Sequence, residues 1–100
     1  MIKVITEKQA DNYKKVSILG HAMYDDYGKD IVCSAVSSIV TTTINGILRI
    51  KNGSLSYLTD KEGVIITVNS TDKITQILIE NMVSLLKELE SNYPKNIQVK

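Results

Sequence analysis

The chain has 100 residues, a net charge of +1, 43% hydrophobic and 23% charged residues. This is the size of one domain that can bury a core without staples, and the near-neutral charge gives no electrostatic case for nucleic acid or an acidic membrane surface. A single cysteine excludes an internal disulfide, and Met1–Thr6 lacks the apolar core of a signal peptide, so a cytoplasmic setting is expected.

Met1 to Thr6 sets Ile2 and Val4 against Lys3 and Ile5, the period-two pattern of a half-buried strand. Glu7 to Asn12 is polar and reads as a connection. Tyr13 to Leu19 alternates again, Val16 and Ile18 against Lys15 and Ser17, which predicts a second strand paired with the first as a hairpin. Gly20 ends it. Ala22 to Lys29 reads as a loop carrying two tyrosines and two aspartates.

Asp30 is a helix N-cap candidate. From there Val32, Val36, Ile39, Thr43 and Ile47 recur at helical spacing, and the helix could run to about Lys51 with Asn52-Gly53 as its cap. The many β-branched residues give weak helix propensity, so tertiary packing must hold this element. Its opposite face, with Ser34, Ser38, Thr41 and Asn45, is polar but uncharged. Such a face suits either a covering loop or a subunit interface. Ile31 to Leu48 carries no charge over a membrane-spanning length, but seven Ser, Thr and Asn side chains dilute the insertion signal, so no membrane association is expected.

Leu55 to Thr59 and Val64 to Asn69 flank Asp60-Lys61-Glu62-Gly63 and predict a second hairpin. Ser70-Thr71-Asp72 offers caps for a second helix. Its apolar stripe is read as Ile74, Leu78, Met82, Leu85 and Leu89, widened by Ile77 and Leu86. Tyr93-Pro94 stops it, and Ile97 and Val99 form a short last strand. The order ββαββαβ, with two helices packed on a sheet of about five strands, predicts a single-domain α+β fold of two or three layers.

His21 and Cys33 are the chain's one histidine and one cysteine, and they flank the 22–29 loop. Cys33 beside Ile31 and Val32 could be a small core residue, and His21 an ordinary strand-end residue. The sharper reading pairs them. With Asp30 as N-cap, Cys33 falls in the first helical turn, where the dipole favours a thiolate and unpaired N–H groups can receive an oxyanion. His21 at the strand end could take the thiol proton and return it to a leaving amine. The Asp30 carboxylate opposes thiolate formation unless it pairs elsewhere, and could orient His21. Ser37 lies one turn past Cys33 and could bond near the site. A metal site has no familiar ligand spacing, and none is expected.

Gly20-His21-Ala22, then Gly28, then Asp30-Ile31-Val32-Cys33-Ser34-Ala35-Val36-Ser37 together resemble the signature of the ribosomal-processing cysteine proteases, the Prp family of Firmicutes and related bacteria. The resemblance spans the whole chain and departs at Ser34, where alanine is more usual. It implies His21 and Cys33 as the catalytic dyad, Asp30 and Ser37 in support, and a substrate-gating loop that includes Gly20, Ala22 and Gly28. It further implies a homodimer without cofactor. The implied substrate is the precursor of the large-subunit ribosomal protein L-twenty-seven, whose N-terminal extension the family removes. The contrasting readings are a non-enzymatic ribosome-associated binding module with Cys33 buried, and a thiol redox sensor.

Overall fold

A computed structural model describes residues 1–20 and 27–100, and gives Tyr27–Asp30 as backbone course only. Among the described residues the chain forms β1 (Ile2–Gln9), β2 (Asn12–Leu19), α1 (Tyr27–Ile50), β3 (Leu55–Asp60), β4 (Gly63–Val68), α2 (Lys73–Asn92) and β5 (Ile97–Val99). The expected ββαββαβ order holds. The strands make one sheet in the order β3-β4-β2-β1-β5, antiparallel throughout except for β5, which runs parallel to β1. Both helices cover one face, so the fold has two layers.

Alternation decides which side of the sheet is covered. Ile2, Val4, Val16, Ile18, Val64 and Ile66 are buried on the helix side, while their neighbours Lys3, Ile5 and Thr67 are exposed on the other. From α1, Val32, Val36, Val40, Ile44 and Ile47 enter the same core. Stretch 31–50, with a mean hydropathy of 1.7, is long and apolar enough to cross a membrane by length and composition. In this fold that same edge is what packs on the sheet.

Three expectations need correction. The first hairpin is longer than its hydropathy suggests. Glu7–Gln9 is not a connection but the end of β1, pairing as Lys8↔Tyr13 and Gln9↔Asn12. Exposed polar residues hide a strand when only hydrophobicity is read, because the ladder is a backbone property. The turn is Ala10-Asp11, both at positive φ (51° and 66°), the left-handed pair that a two-residue hairpin requires. Second, α1 starts at Tyr27 rather than after Asp30, so Tyr27 to Lys29 belong to the helix and not to the loop. Asp30 is a helical residue and not the cap. Third, the buried stripe of α2 is Thr75, Ile79, Met82, Val83 and Leu86, whereas Ile74, Ile77 and Leu85 are exposed. Apolar residues occur on both sides of this helix, so periodicity alone leaves its phase open.

Side chains finish what the ladders leave unpaired. Gln76 pairs with the backbone of Tyr13, its Oε1 accepting from the N–H (2.7 Å) and its Nε2 donating to the carbonyl (3.1 Å). Glu90 accepts from the Val99 N–H at 3.0 Å, capping a donor of the β5 edge. Asp72 is the N-cap of α2: it accepts from the Thr75 N–H (3.1 Å) and hydroxyl (2.8 Å) and from the Ser70 hydroxyl, with Lys51 Nζ 3.5 Å away.

Gly63 opens β4 at φ 144°, and a Cβ there would run into the Ile18 carbonyl of β2. Gly63→Ala is therefore expected to cost about 2 kcal/mol or more, read as a lower urea midpoint at unchanged m-value. The Ser70 hydroxyl, then the Thr75 amide and hydroxyl and the Lys51 charge, hold the Asp72 carboxyl well below the usual carboxylate range, against the opposing effect of burial. A depressed folded pKa adds stability that is fully present above the unfolded value, near 3.9, and is lost as pH falls below it. The stability gap between wild type and Asp72→Asn should thus shrink on acidification from pH 5 to pH 2 in urea titrations.

Candidate active site

Cys33 lies on α1 beside the buried Val32, half-buried and packed against the edge of the core. The helix holds it rigidly: Val32 and Val36 on either side are 0% and 1% exposed. With α1 beginning at Tyr27, Cys33 is in the second turn rather than the first. Its amide is deep enough to have an intrahelical acceptor, and the dipole acts mainly on the terminal turn. The expectation that Cys33 sits among unpaired first-turn N–H groups is therefore overturned. The cause is the extra turn that Tyr27, Gly28 and Lys29 add ahead of Asp30.

Ser37 is half-buried one turn beyond Cys33. It opens a groove of about 270 Å³ that runs along α1 past Val40, Thr41 and Ile44 to Asn45. Ile18 of β2, Val64 of β4, and Tyr57 and Thr59 of β3 form the other wall. The groove lies between α1 and the inner faces of β2, β4 and the edge strand β3. Sequence reading singled out Thr41 and Asn45 as an odd uncharged face but missed Tyr57 and Thr59. Their signal was weak: a tyrosine and a threonine on the inward alternation of a strand expected to be core.

The groove also brings two stretches of sequence together. Ile18 is three residues ahead of His21, and Ser37 is four beyond Cys33, and they line the same space. Between Ile18 and His21 the chain is anchored at Gly20, whose N–H donates to the Glu62 carbonyl at 2.8 Å. Gly20 has φ 78°, and a Cβ there would run into the Met1 carbonyl, so no side chain fits. Of the other motif positions, Gly28 and Asp30 are backbone positions of α1, and His21 and Ala22 lie outside the described residues. Among the described residues no three His, Cys, Asp or Glu side chains gather where a metal could sit.

A family model of the cysteine protease Prp matches residues 1–98. The ribosomal processing cysteine protease Prp of Staphylococcus aureus is 26% identical over 98 residues, covering 95% of this chain and 92% of its own. The Prp of Bacillus subtilis is 27% identical over 90 residues, covering 80% and 78%. Among solved structures, a protein from Streptococcus mutans superposes with a TM-score of 0.91 at 25% identity, covering 100% of this chain and 92% of its own. Prp from S. aureus with a covalently linked product peptide superposes with a TM-score of 0.86 at 25% identity, covering 100% and 98%. Sequence and fold agree along nearly the whole length, and the chain belongs to the Prp family of ribosomal-processing cysteine proteases.

Proposed function

We propose that the chain removes the N-terminal extension of the precursor of large-subunit ribosomal protein L-twenty-seven, with Cys33 as nucleophile and His21 as general base. The observation that carries the dyad is the shared groove. The strand leading to His21 and the helical turn after Cys33 line one space, which supports pairing the imidazole with the thiol. His21 takes the thiol proton, the thiolate attacks the scissile carbonyl, and the imidazolium gives its proton to the leaving amine. Water then hydrolyses the thioester. The product peptide linked covalently to S. aureus Prp supports an acyl-enzyme course. No cofactor enters.

Asp30 and Ser37 are proposed in support, one turn before and one turn after Cys33 on the helix. The segment from Gly20 through Ala22 to Gly28 is proposed to admit the substrate. The groove beyond Ser37, apolar along Val40 and Ile44 and hydroxyl-rich at Thr41 and Thr59, suits an extended peptide with an apolar side chain. The substrate assignment rests on the family and on S. aureus Prp, solved with a substrate peptide. The partners are thus the ribosomal protein precursor and a second copy of the chain, in the cytoplasm.

Incubation with the extended ribosomal protein, read by intact mass, tests the substrate. A single N-terminal truncation is expected, and an unchanged mass at enzyme-to-substrate parity would refute it. Cys33→Ala and Cys33→Ser should both fold and both lose turnover. His21→Ala should lose roughly a hundred- to ten-thousandfold, and a folded variant within a factor of a few of wild type would assign the base elsewhere. Thr41→Trp adds bulk to the groove from an exposed position away from the thiol. It should raise KM with little change in kcat in steady-state cleavage of a fluorogenic peptide.

A further inference from the structure

β3 is an edge strand of the sheet, and its pairing with β4 decides which of its backbone groups face that edge. Directly opposite residues of an antiparallel pair alternate between exchanging two hydrogen bonds and exchanging none. The Asn69 N–H donates to the Ser54 carbonyl at 2.8 Å, one step beyond the Leu55↔Val68 pair. Ser56↔Thr67, Leu58↔Ile65 and Asp60↔Gly63 are therefore the bonded pairs. Tyr57 and Thr59 stand between them, so their N–H and C=O groups turn outward to the edge. The other side of β4 agrees. The Gly20 N–H donates to the Glu62 carbonyl, which by the same alternation gives the Val64 and Ile66 backbone to β2. Tyr57 and Thr59 are also the β3 residues that line the groove with Thr41 and Asn45. We propose that the substrate's extension binds as an added strand on the β3 edge, hydrogen-bonded to Tyr57 and Thr59, with alternate side chains in the groove.

This edge is open to such a partner. Leu55 to Thr59 holds no lysine or proline, the residues that commonly keep an edge strand from pairing, and Leu58 is 76% exposed. At the opposite edge of the sheet Glu90 occupies the Val99 donor. The β3 edge also leads to the candidate dyad. β3 follows α1 through one short turn, so it runs back along the helix toward the Asp60–Gly63 turn. There the Glu62 carbonyl holds Gly20, the residue before His21. Side chains on one face of a sheet align across neighbouring strands. The extension residues across from Tyr57 and Thr59 therefore point to the groove, whose lining carries no charge.

This inference rests on the proposed cleavage of a peptide by Cys33, and it adds a chain direction. The extension is the acyl part of the substrate, so its last carbonyl ends at Cys33. Cys33 is near the N-terminal end of α1, the end that the last residues of β3 approach. The extension thus runs parallel to β3. In a parallel pair an edge residue bonds the two neighbours of the residue opposite it, not that residue itself. The extension's bonded amides are then every second one, out of step with the side chains that enter the groove.

Steady-state cleavage of a synthetic peptide spanning the cleaved bond tests this, with single backbone N-methyl groups placed in turn along the extension. Methylation at every second residue should raise KM roughly tenfold or more, as loss of a buried hydrogen bond does, and at the residues between by less than about threefold. Lysine at those intervening residues should raise KM instead, because their side chains face the uncharged groove. Amide exchange of isotope-labelled Cys33→Ala protein, followed by NMR, gives the enzyme's side. The Tyr57 and Thr59 amides should exchange fast alone and slow about tenfold or more with peptide, while Ser56 and Leu58 stay protected throughout. Cleavage indifferent to every N-methyl group, or Tyr57 and Thr59 amides that do not respond to peptide, would overturn the added strand and leave the protease reading standing. Amides of Tyr57 and Thr59 already slow without peptide would overturn it too, by showing the edge filled. Methyl-sensitive and lysine-sensitive residues that coincide would overturn the parallel course. A parent peptide left whole by the wild-type enzyme would overturn both the cleavage and the strand.

Discussion

The structure depends on one contact, the aliphatic edge of α1 against the inner face of the sheet. Val32, Val36, Val40, Ile44 and Ile47 are each 5% exposed or less. Burying five such side chains contributes roughly 8–15 kcal/mol before entropy is counted. About half of Ile31–Ile50 is β-branched, and the corresponding loss of helix propensity is on the order of 5 kcal/mol. Packing therefore outweighs propensity, and the helix exists because the sheet is there to receive it. The thiol inherits its position from that contact: Cys33 adjoins the first residue of the edge, and the groove begins one turn further on.

The rigid placement of Cys33, the proposed nucleophile, and the groove proposed to take the substrate come from the two sides of the same helix. The side that carries Val32 and Ile47 is tightly packed in the core. The side toward β3 is lined by serine, threonine and asparagine, too small to fill the space and too polar to collapse it. For the proposed peptide substrate their hydroxyls and amide would offer hydrogen-bond partners. Uncharged polar residues suit this better than lysine or glutamate, whose long side chains would occupy the channel and whose charges would have to be desolvated each time a peptide entered.

Much of this was legible from the sequence because the inward residues of β1, β2 and β4 alternate without error, and because Asp72 and Tyr93-Pro94 punctuate α2 clearly. What was not legible has physical causes. Glu7, Lys8 and Gln9 extend a strand through backbone pairing that no hydropathy pattern records. The start of α1 was misplaced because Asp30 looks like a cap, although Asp25 and Asp26 are of the same residue type and stand ahead of it. The phase of α2 was misread because Ile74, Ile77 and Leu85 are as apolar as the residues it buries. For the site, the histidine–cysteine motif was readable, but the groove was not, since Tyr57 and Thr59 reach it only after β3 is placed at the sheet edge.

Leu58, Ile5, Ile74 and Ile77 are apolar side chains left exposed by a fold whose core is already complete. A core that closes without them assigns them no role in the isolated chain's stability, while each costs solubility. On α2 they stand on one helix, and on the sheet Ile5 and Leu58 fall in one row of the strand register. Gly63 pins β4 against the Ile18 carbonyl of β2, and between β1 and β2 the register set by the Ala10-Asp11 turn shifts by one residue at Glu7/Lys8 before reaching Ile5 and Ser17. The same constraints that seat α1 and its thiol on one face of the sheet therefore also fix the pattern on the other. A shift of one residue would scramble both faces together, burying the charged row and exposing the core, so active site and outer surface are two consequences of a single strand alignment.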